Sequence, residues 1–116
     1  MYFVESSAVS VRPTIRFLDW LNQLNQNEEN NIELNLEQIR SNSNIYLIPE
    51  QDTPEEVIAY IDEHFETIFL AELSSWSLNE DEYPQNRTLQ MFWEFFDIEV
   101  HDTVCDLSDD EDDEEI

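Results

Sequence analysis

Residues 44–56, Asn44-Ile45-Tyr46-Leu47-Ile48-Pro49-Glu50-Gln51-Asp52-Thr53-Pro54-Glu55-Glu56, place a strand directly before a helix start, and this pair decides the fold class. The first six residues are apolar on both faces of a strand, the pattern of a strand set centrally in a covered sheet. The next signal starts a helix for two separate reasons. The Thr53 hydroxyl can cap free amides while Glu56 reaches back, which is a capping box. Pro54 takes the first helical position, where its missing N–H does no harm. The helix is predicted to run to about Ser75, with Val57, Ile58, Ile61, Phe65, Ile68, Phe69 and Trp76 on one side.

Working outward, residues 8–12 (AVSVR) alternate apolar and polar and read as a first strand that Pro13 ends. A helix is expected from Thr14 to Asn25, with Phe17, Leu18, Leu21 and Leu24 in one stripe and Trp20 beside it. The Asn- and Glu-rich stretch 25–31 reads as a loop, and a short helix follows at Leu34 to Ser41. Beyond the long helix lies a polar loop, Ser77 to Asn86, with a turn near Tyr83-Pro84. A helix from Thr88 to Phe96 then buries Leu89, Phe92, Trp93 and Phe96. The third strand is Ile98 to Leu107. Its apolar face, Ile98, Val100 and Val104, also carries Asp102, which is costly to bury unpaired. Either a bulge near His101-Asp102 shifts the register there, or the strand frays. The order β-α-α-β-α-α-β predicts an α+β or small α/β fold, a three-stranded sheet packed by about four helices, largely through crossover connections. Residues 1–107 read as one globular domain and 108–116 (SDDEDDEEI) as a disordered acidic tail.

Charge is the anomaly. The 116 residues hold 29 Asp and Glu against four basic residues, all arginine (Arg12, Arg16, Arg40, Arg87), for a net charge of −25. Even residues 1–105 retain 21 carboxylates against those four arginines, a net −17, so the acidity belongs to the domain as well as the tail. Such a chain repels phosphate backbones and anionic membranes, which exclude it as a direct nucleic-acid or membrane binder. The natural partners are basic proteins, cations or surfaces that do not use charge, and a basic protein is the leading expectation. Glycine is absent, which excludes phosphate-cradling loops and dinucleotide fingerprints. The single cysteine, Cys105, excludes an intrachain disulfide. No signal peptide or membrane-length apolar run is read, and a cytoplasmic location is expected.

Several stretches in order carry a resemblance: Phe17-Leu18-Asp19-Trp20-Leu21-Asn22, Tyr46-Leu47-Ile48-Pro49-Glu50, Asp52-x-Pro54-Glu55-Glu56, Ile68-Phe69-x-x-Glu72-Leu73-x-x-Trp76, Phe96-Asp97-Ile98-Glu99-Val100-His101 and Val104-x-Asp106-Leu107. Over residues 8–107 the chain resembles a family of short, acidic bacterial proteins of uncharacterised function. The resemblance implies a bacterial, cytoplasmic, single-domain protein and brings no activity, cofactor or catalytic residue with it. Arg16, where that pattern has proline, and the longer acidic tail depart from it.

The candidate site follows from the long helix. At 100° per residue counted from Glu55 as zero, Glu55, Asp62 and Glu66 fall within about 20° of zero, with Glu56 and Glu63 at about 80–100°. The apolar set occupies the opposite arc, about 200–320°. Five carboxylates over ~16 Å give one per ~4 Å, close to the ~3.4 Å phosphate spacing of a DNA strand. Such a stripe can imitate a phosphate run to a basic, nucleic-acid-binding protein, so the leading expectation is a non-enzymatic nucleic-acid mimic that inhibits or regulates such a protein, immunity to a nuclease included. A solubilising acidic face is the ordinary alternative. Against it stands the absence of any basic residue between Arg40 and Arg87, where a solubilising surface mixes signs. The tail residues Asp109, Asp110, Glu111, Asp112 and Asp113 read as a solubility brush or a hook for the same basic surface. They lack the fixed ligand positions and glycine of a calcium loop.

His64, His101 and Cys105 are the residues suited to nucleophilic or transition-metal chemistry, and His101 and Cys105, four apart on a strand, point the same way. A zinc site needs at least three ligands. A small metal-dependent enzyme around His101 and Cys105 is therefore the rival reading, and a ligand-binding module whose acidity serves only solubility is a third. No catalytic residue, cofactor or metal ligand is assigned.

Overall fold

The computed structural model describes residues 1–25, 34–41 and 43–108. The fold is α+β. Its elements in order are β1 (Tyr2–Val4), β2 (Ser6–Pro13), α1 (Ile15–Asn25), α2 (Leu36–Arg40), β3 (Asn44–Pro49), α3 (Pro54–Ser74), a 3₁₀ turn (Glu80–Glu82), α4 (Leu89–Phe95), β4 (Phe96–His101) and β5 (Val104–Asp106). The anticipated three strands and four helices are present, with a small sheet of β1 and β5 added.

The main sheet has the order β3-β2-β4, and both pairings are antiparallel. The expected crossover holds between β3 and β4, which are both antiparallel to β2 and so run parallel to each other on either side of it, and is corrected between β2 and β3, which are adjacent and antiparallel. Among the described residues the excursion between β2 and β3 contains two helices, α1 and α2, and β3 starts at the end of the sheet that β2 left. Val11 accordingly pairs with Asn44 and Ser6 with Pro49. A second correction concerns β3, which is an edge strand rather than a central one. The central strand is β2, whose Ser7, Val9 and Val11 are fully buried.

The stretch 98–107 is likewise two strands. The chain leaves β4 at Asp102-Thr103, and residues 104–106 pair with β1, Val4 facing Val104 and Tyr2 facing Asp106. Asp102 is thereby exposed at the break rather than turned inward. The new sheet is closed at Asp106. Bonds from the Ser108 hydroxyl and amide, then from the Tyr2 hydroxyl, hold its carboxyl below the ordinary range.

All four helices pack on one face of the main sheet. The core joins Val9 and Val11 of β2, Ile48 of β3 and Phe96 of β4 to Phe17, Leu18 and Leu21 of α1, Ile39 of α2, Val57, Ile61, Ile68, Phe69 and Leu73 of α3, and Phe92 of α4. Phe96 is its hub, with ring centroids 5.3–5.5 Å from Phe17, Phe69 and Phe92, edge-on or tilted as aromatic quadrupoles favour. Trp20 and Trp93 border the core, their indole N–H groups bonded to the Glu82 carbonyl and the Asp62 carboxylate.

Helix α3 starts as its sequence dictates. Thr53 Oγ1 accepts from the Glu56 amide at 3.1 Å, and Pro54 opens the helix. Glu56 reaches back one residue further than a capping box requires, accepting from the Asp52 amide at 3.1 Å. Helix α2 carries a full capping box between Asn35 and Gln38 that the sequence reading passed over.

Candidate functional site

Helix α3 is two helical segments joined at His64, whose φ of −115° and ψ of 17° are not helical. The Tyr60 and His64 rings lie 4.3 Å apart across this kink. A kink rotates everything after it relative to an ideal wheel. On a uniform 100° count from Glu55, the buried residues before the kink, Val57 and Ile61, lie at about 200–240°. After it, Ile68, Phe69, Glu72 and Leu73 spread over about 220–360°. The carboxylate stripe therefore does not continue in one straight line past His64.

The five stripe residues have separate surroundings. Glu55, Glu56 and Glu63 are exposed on the first segment. Asp62 is half-buried, its carboxylate taken by the Trp93 indole N–H at 2.9 Å, so it ties α3 to α4. Glu66, exposed beyond the kink, lies 3.5 Å from the Arg87 guanidinium. The tail candidates Asp109, Asp110, Glu111, Asp112 and Asp113 lie outside the described residues.

The four arginines decide how the charge is laid out. Arg12 pairs with Glu99 at 2.5 Å, Arg16 with Glu94 at 3.4 Å and Arg40 with Asp97 at 2.9 Å. These three pairs join β2, α1 and α2 to carboxylates of α4 and β4. Only Arg87 reaches the α3 stripe, and only at Glu66. Positive charge is thus gathered where the chain leaves α4 for β4, and the first segment of α3 keeps Glu55, Glu56 and Glu63 without an arginine beside them among the described residues.

His101 and Cys105 come together even though the strand between them breaks. Both line an open hollow of about 270 Å³ with Ala8, Ile45, Leu47, Thr103 and Val104. His101 Nε2 lies 2.9 Å from Ser10 Oγ. A serine next to an imidazole is the beginning of a nucleophile–base pair, yet catalysis also needs a group that orients the ring. Among the described residues no carboxylate bonds the His101 ring. Cys105 is an exposed free thiol. Among the described residues no three His, Cys, Asp or Glu side chains gather closely enough to hold a metal ion. A second open recess, about 360 Å³, lies beside Trp76 between Leu21, Leu24 and Leu78, with Asn79 and Glu82 at its rim.

The chemically most distinctive carboxylate is one the sequence reading left unassigned. Glu72 is 3% exposed, and its Oε2 accepts from the Tyr46 hydroxyl at 2.5 Å and from Asn44 Nδ2 at 2.7 Å. Burial pushes the Glu72 carboxyl above its ordinary value, against the two hydrogen bonds, which favour the charged form. Burial and the neighbouring carboxylate also raise the Tyr46 phenol. The group pins α3 to β3. Its signal was on the helical wheel: counted from Glu55, Glu72 falls at about 260°, in the middle of the apolar arc.

The sheet's other face was also missed. Strand alternation turns Ser7, Val9 and Val11 of β2 inward, with Asn44, Tyr46 and Ile48 paired beside them on β3. It leaves Ile45 (66% exposed) and Leu47 (60% exposed) outward, beside Ser10 and Ala8. Among the described residues no helix covers these side chains. Among the described residues no helix is long and apolar enough to cross a membrane.

The chain matches no family model, no curated protein and no solved structure at a significant level.

Proposed function

We propose that this chain is a non-catalytic binding module for a positively charged protein, with the outer side of α3 standing in for a run of phosphates toward a DNA- or RNA-handling partner. The observation that carries this reading is the segregation of charge. Three of the four arginines are spent on Glu94, Asp97 and Glu99, while Glu55, Glu56 and Glu63 on one helical segment stay exposed and unneutralised. The capped, proline-started first segment holds Glu55 and Glu56 about 10–12 Å along the axis from Glu63, about three phosphate spacings of a DNA strand. Asp62 belongs to the scaffold in this account, since Trp93 holds it, and Glu66 marks the end of the surface at Arg87. Binding of this kind is steered by long-range charge, so it is fast and weakens as salt rises.

The test is capture of basic proteins from a host lysate at low and high salt. It uses the wild-type chain, a Glu55→Gln/Glu56→Gln/Glu63→Gln variant, and a control that removes the same charge from the 3₁₀ turn, Glu80→Gln/Asp81→Asn/Glu82→Gln. The wild type and the control are expected to retain a nucleic-acid-binding protein at low salt and release it at high salt, and the α3 variant to retain none. Equal loss in both variants would reduce the effect to net charge and overturn the assignment to α3.

A further inference from the structure

We infer that β3 is the pairing edge for a second copy of this chain, the two β3 strands running antiparallel with Tyr46 on the two-fold axis and joining two three-stranded sheets into one of six.

The two edges of the sheet differ in the way that matters for such pairing. Natural sheets guard their exposed edges with charged side chains, bulges or proline. The β4 edge is guarded: Asp97 and Glu99 alternate along it, paired with Arg40 and Arg12. The β3 edge carries no charge. Residues 41–49 form the longest uncharged run in a chain with 33 charged residues, and Pro49 guards only its end. Two chains of net charge −25 repel wherever carboxylates meet, and β3 is where they approach without opposing any on the strand itself. The same feature argues against a basic occupant, which would find no carboxylate on the strand.

The strand also matches itself. In an antiparallel pair, residues directly opposite each other point to the same side of the sheet, so only alternate registers keep apolar side chains together. With Tyr46 on the axis, Ile45 stands opposite Leu47 of the second copy and Leu47 opposite its Ile45. The four exposed aliphatic side chains then become a cross-strand cluster on the open face, and Pro49 and Glu50 fall outside the paired stretch. Shifting the axis to Leu47 would instead set Ile45 against proline, which has no N–H to offer the ladder. A five-residue strand pair is small beside a standard interface of about 1,600 Å², so the dimer is weak.

This inference does not rest on the α3 reading, and salt separates the two. Screening relieves repulsion between like chains, so self-association tightens with salt while binding to a basic partner loosens. Sedimentation equilibrium of the full chain up to about millimolar protein, at about 0.05 M and about 0.5 M salt, tests it. A monomer–dimer equilibrium that shifts toward dimer at the higher salt is expected. Ile45→Lys and, separately, Leu47→Lys are each expected to weaken it about tenfold or more, since both place like charges opposite apolar partners across the axis. Both sites are exposed, so each variant should melt like the wild type. Glu63→Lys should leave the dimer in place. Amide hydrogen exchange at residues 44–48 gives a readout without mutation, slowing as protein concentration rises. A monomer under all conditions, a dimer indifferent to Ile45→Lys and Leu47→Lys, or exchange at β3 independent of concentration would each overturn the inference.

Discussion

The two faces of the main sheet are made from alternate residues of the same three strands, and their chemistry could hardly differ more. The inner face presents Val9, Val11 and Phe96 to an aromatic core at near-zero exposure. The outer face presents Ile45, Leu47, Arg12, Asp97 and Glu99 to solvent, with charge concentrated on β4 and aliphatic side chains on β3. The inner face is where the chain's free energy of folding resides, because apolar area removed from water is its main source. The outer face contributes little to the fold and is free to serve contacts outside the chain. A residue's importance to stability should therefore follow the face it points to rather than its hydrophobicity.

The largest expected effect tests that contrast directly. Phe96→Ala would empty the centre of a cluster containing Phe17, Phe69 and Phe92, at a cost of about 3–5 kcal/mol. That is a large share of the 5–15 kcal/mol typical of a domain. Leu47→Ala, an equally apolar residue on the open face, should shift monomer stability by no more than about 0.5 kcal/mol. Urea denaturation at low protein concentration measures both. Comparable losses would mean that the outer face is part of the core after all.

Glu72 gives the next effect, since it is the one buried charged group among the described residues. Glu72→Ala leaves the Tyr46 hydroxyl and the Asn44 amide without their acceptor, a loss of about 1–3 kcal/mol. Glu72→Gln separates the charge from the hydrogen bonds. Because the folded-state pKa is raised above the unfolded one, the folded protein holds this proton more tightly. The contribution to stability is fully present below the unfolded pKa and is lost as pH rises through the raised folded value. The stability of the wild type relative to Glu72→Gln should accordingly fall across that window and level off above it. Thermal melts of the two proteins over a pH series provide the check, and a difference that is flat with pH, or that moves the other way, would show that the carboxylate is not desolvated.

What the sequence made legible divides along the same lines. The inner face was readable wherever the period was regular: the Phe17, Leu18, Leu21 stripe, the β3 boundaries and the Thr53-Pro54 start all lie where local chemistry puts them. The two helices between β2 and β3 are legible, but local signals do not report how far or which way each runs across the sheet, so the antiparallel order of β2 and β3 was not visible. Nor is a kink at His64 encoded by proline or glycine, so a uniform helical count misplaced Leu73 and ran the acidic stripe too far. The β1–β5 pairing joins residues about a hundred positions apart and has no local signature. The outer side of β3 is as apolar as a covered face, but among the described residues no helix covers it.

The smallest effect belongs to the outer-face ion pair of Arg12 and Glu99, both about half exposed. Exposed pairs couple weakly, so a double-mutant cycle with Arg12→Ala and Glu99→Gln should return an interaction energy below about 0.5 kcal/mol that shrinks as salt rises. The single variants are more informative than their coupling. In a chain with 29 carboxylates and four arginines, removing a positive charge deepens the self-repulsion and removing a negative one relieves it. Arg12→Ala should therefore destabilise modestly, while Glu99→Gln, although it breaks the same contact, should be neutral or slightly stabilising. If both variants lose stability equally, the close contact outweighs the chain's overall field, and the outer face contributes more to the fold than its exposure implies. If they move in opposite directions, and converge at high salt, the arginines matter mainly for where the net negative charge is left unopposed.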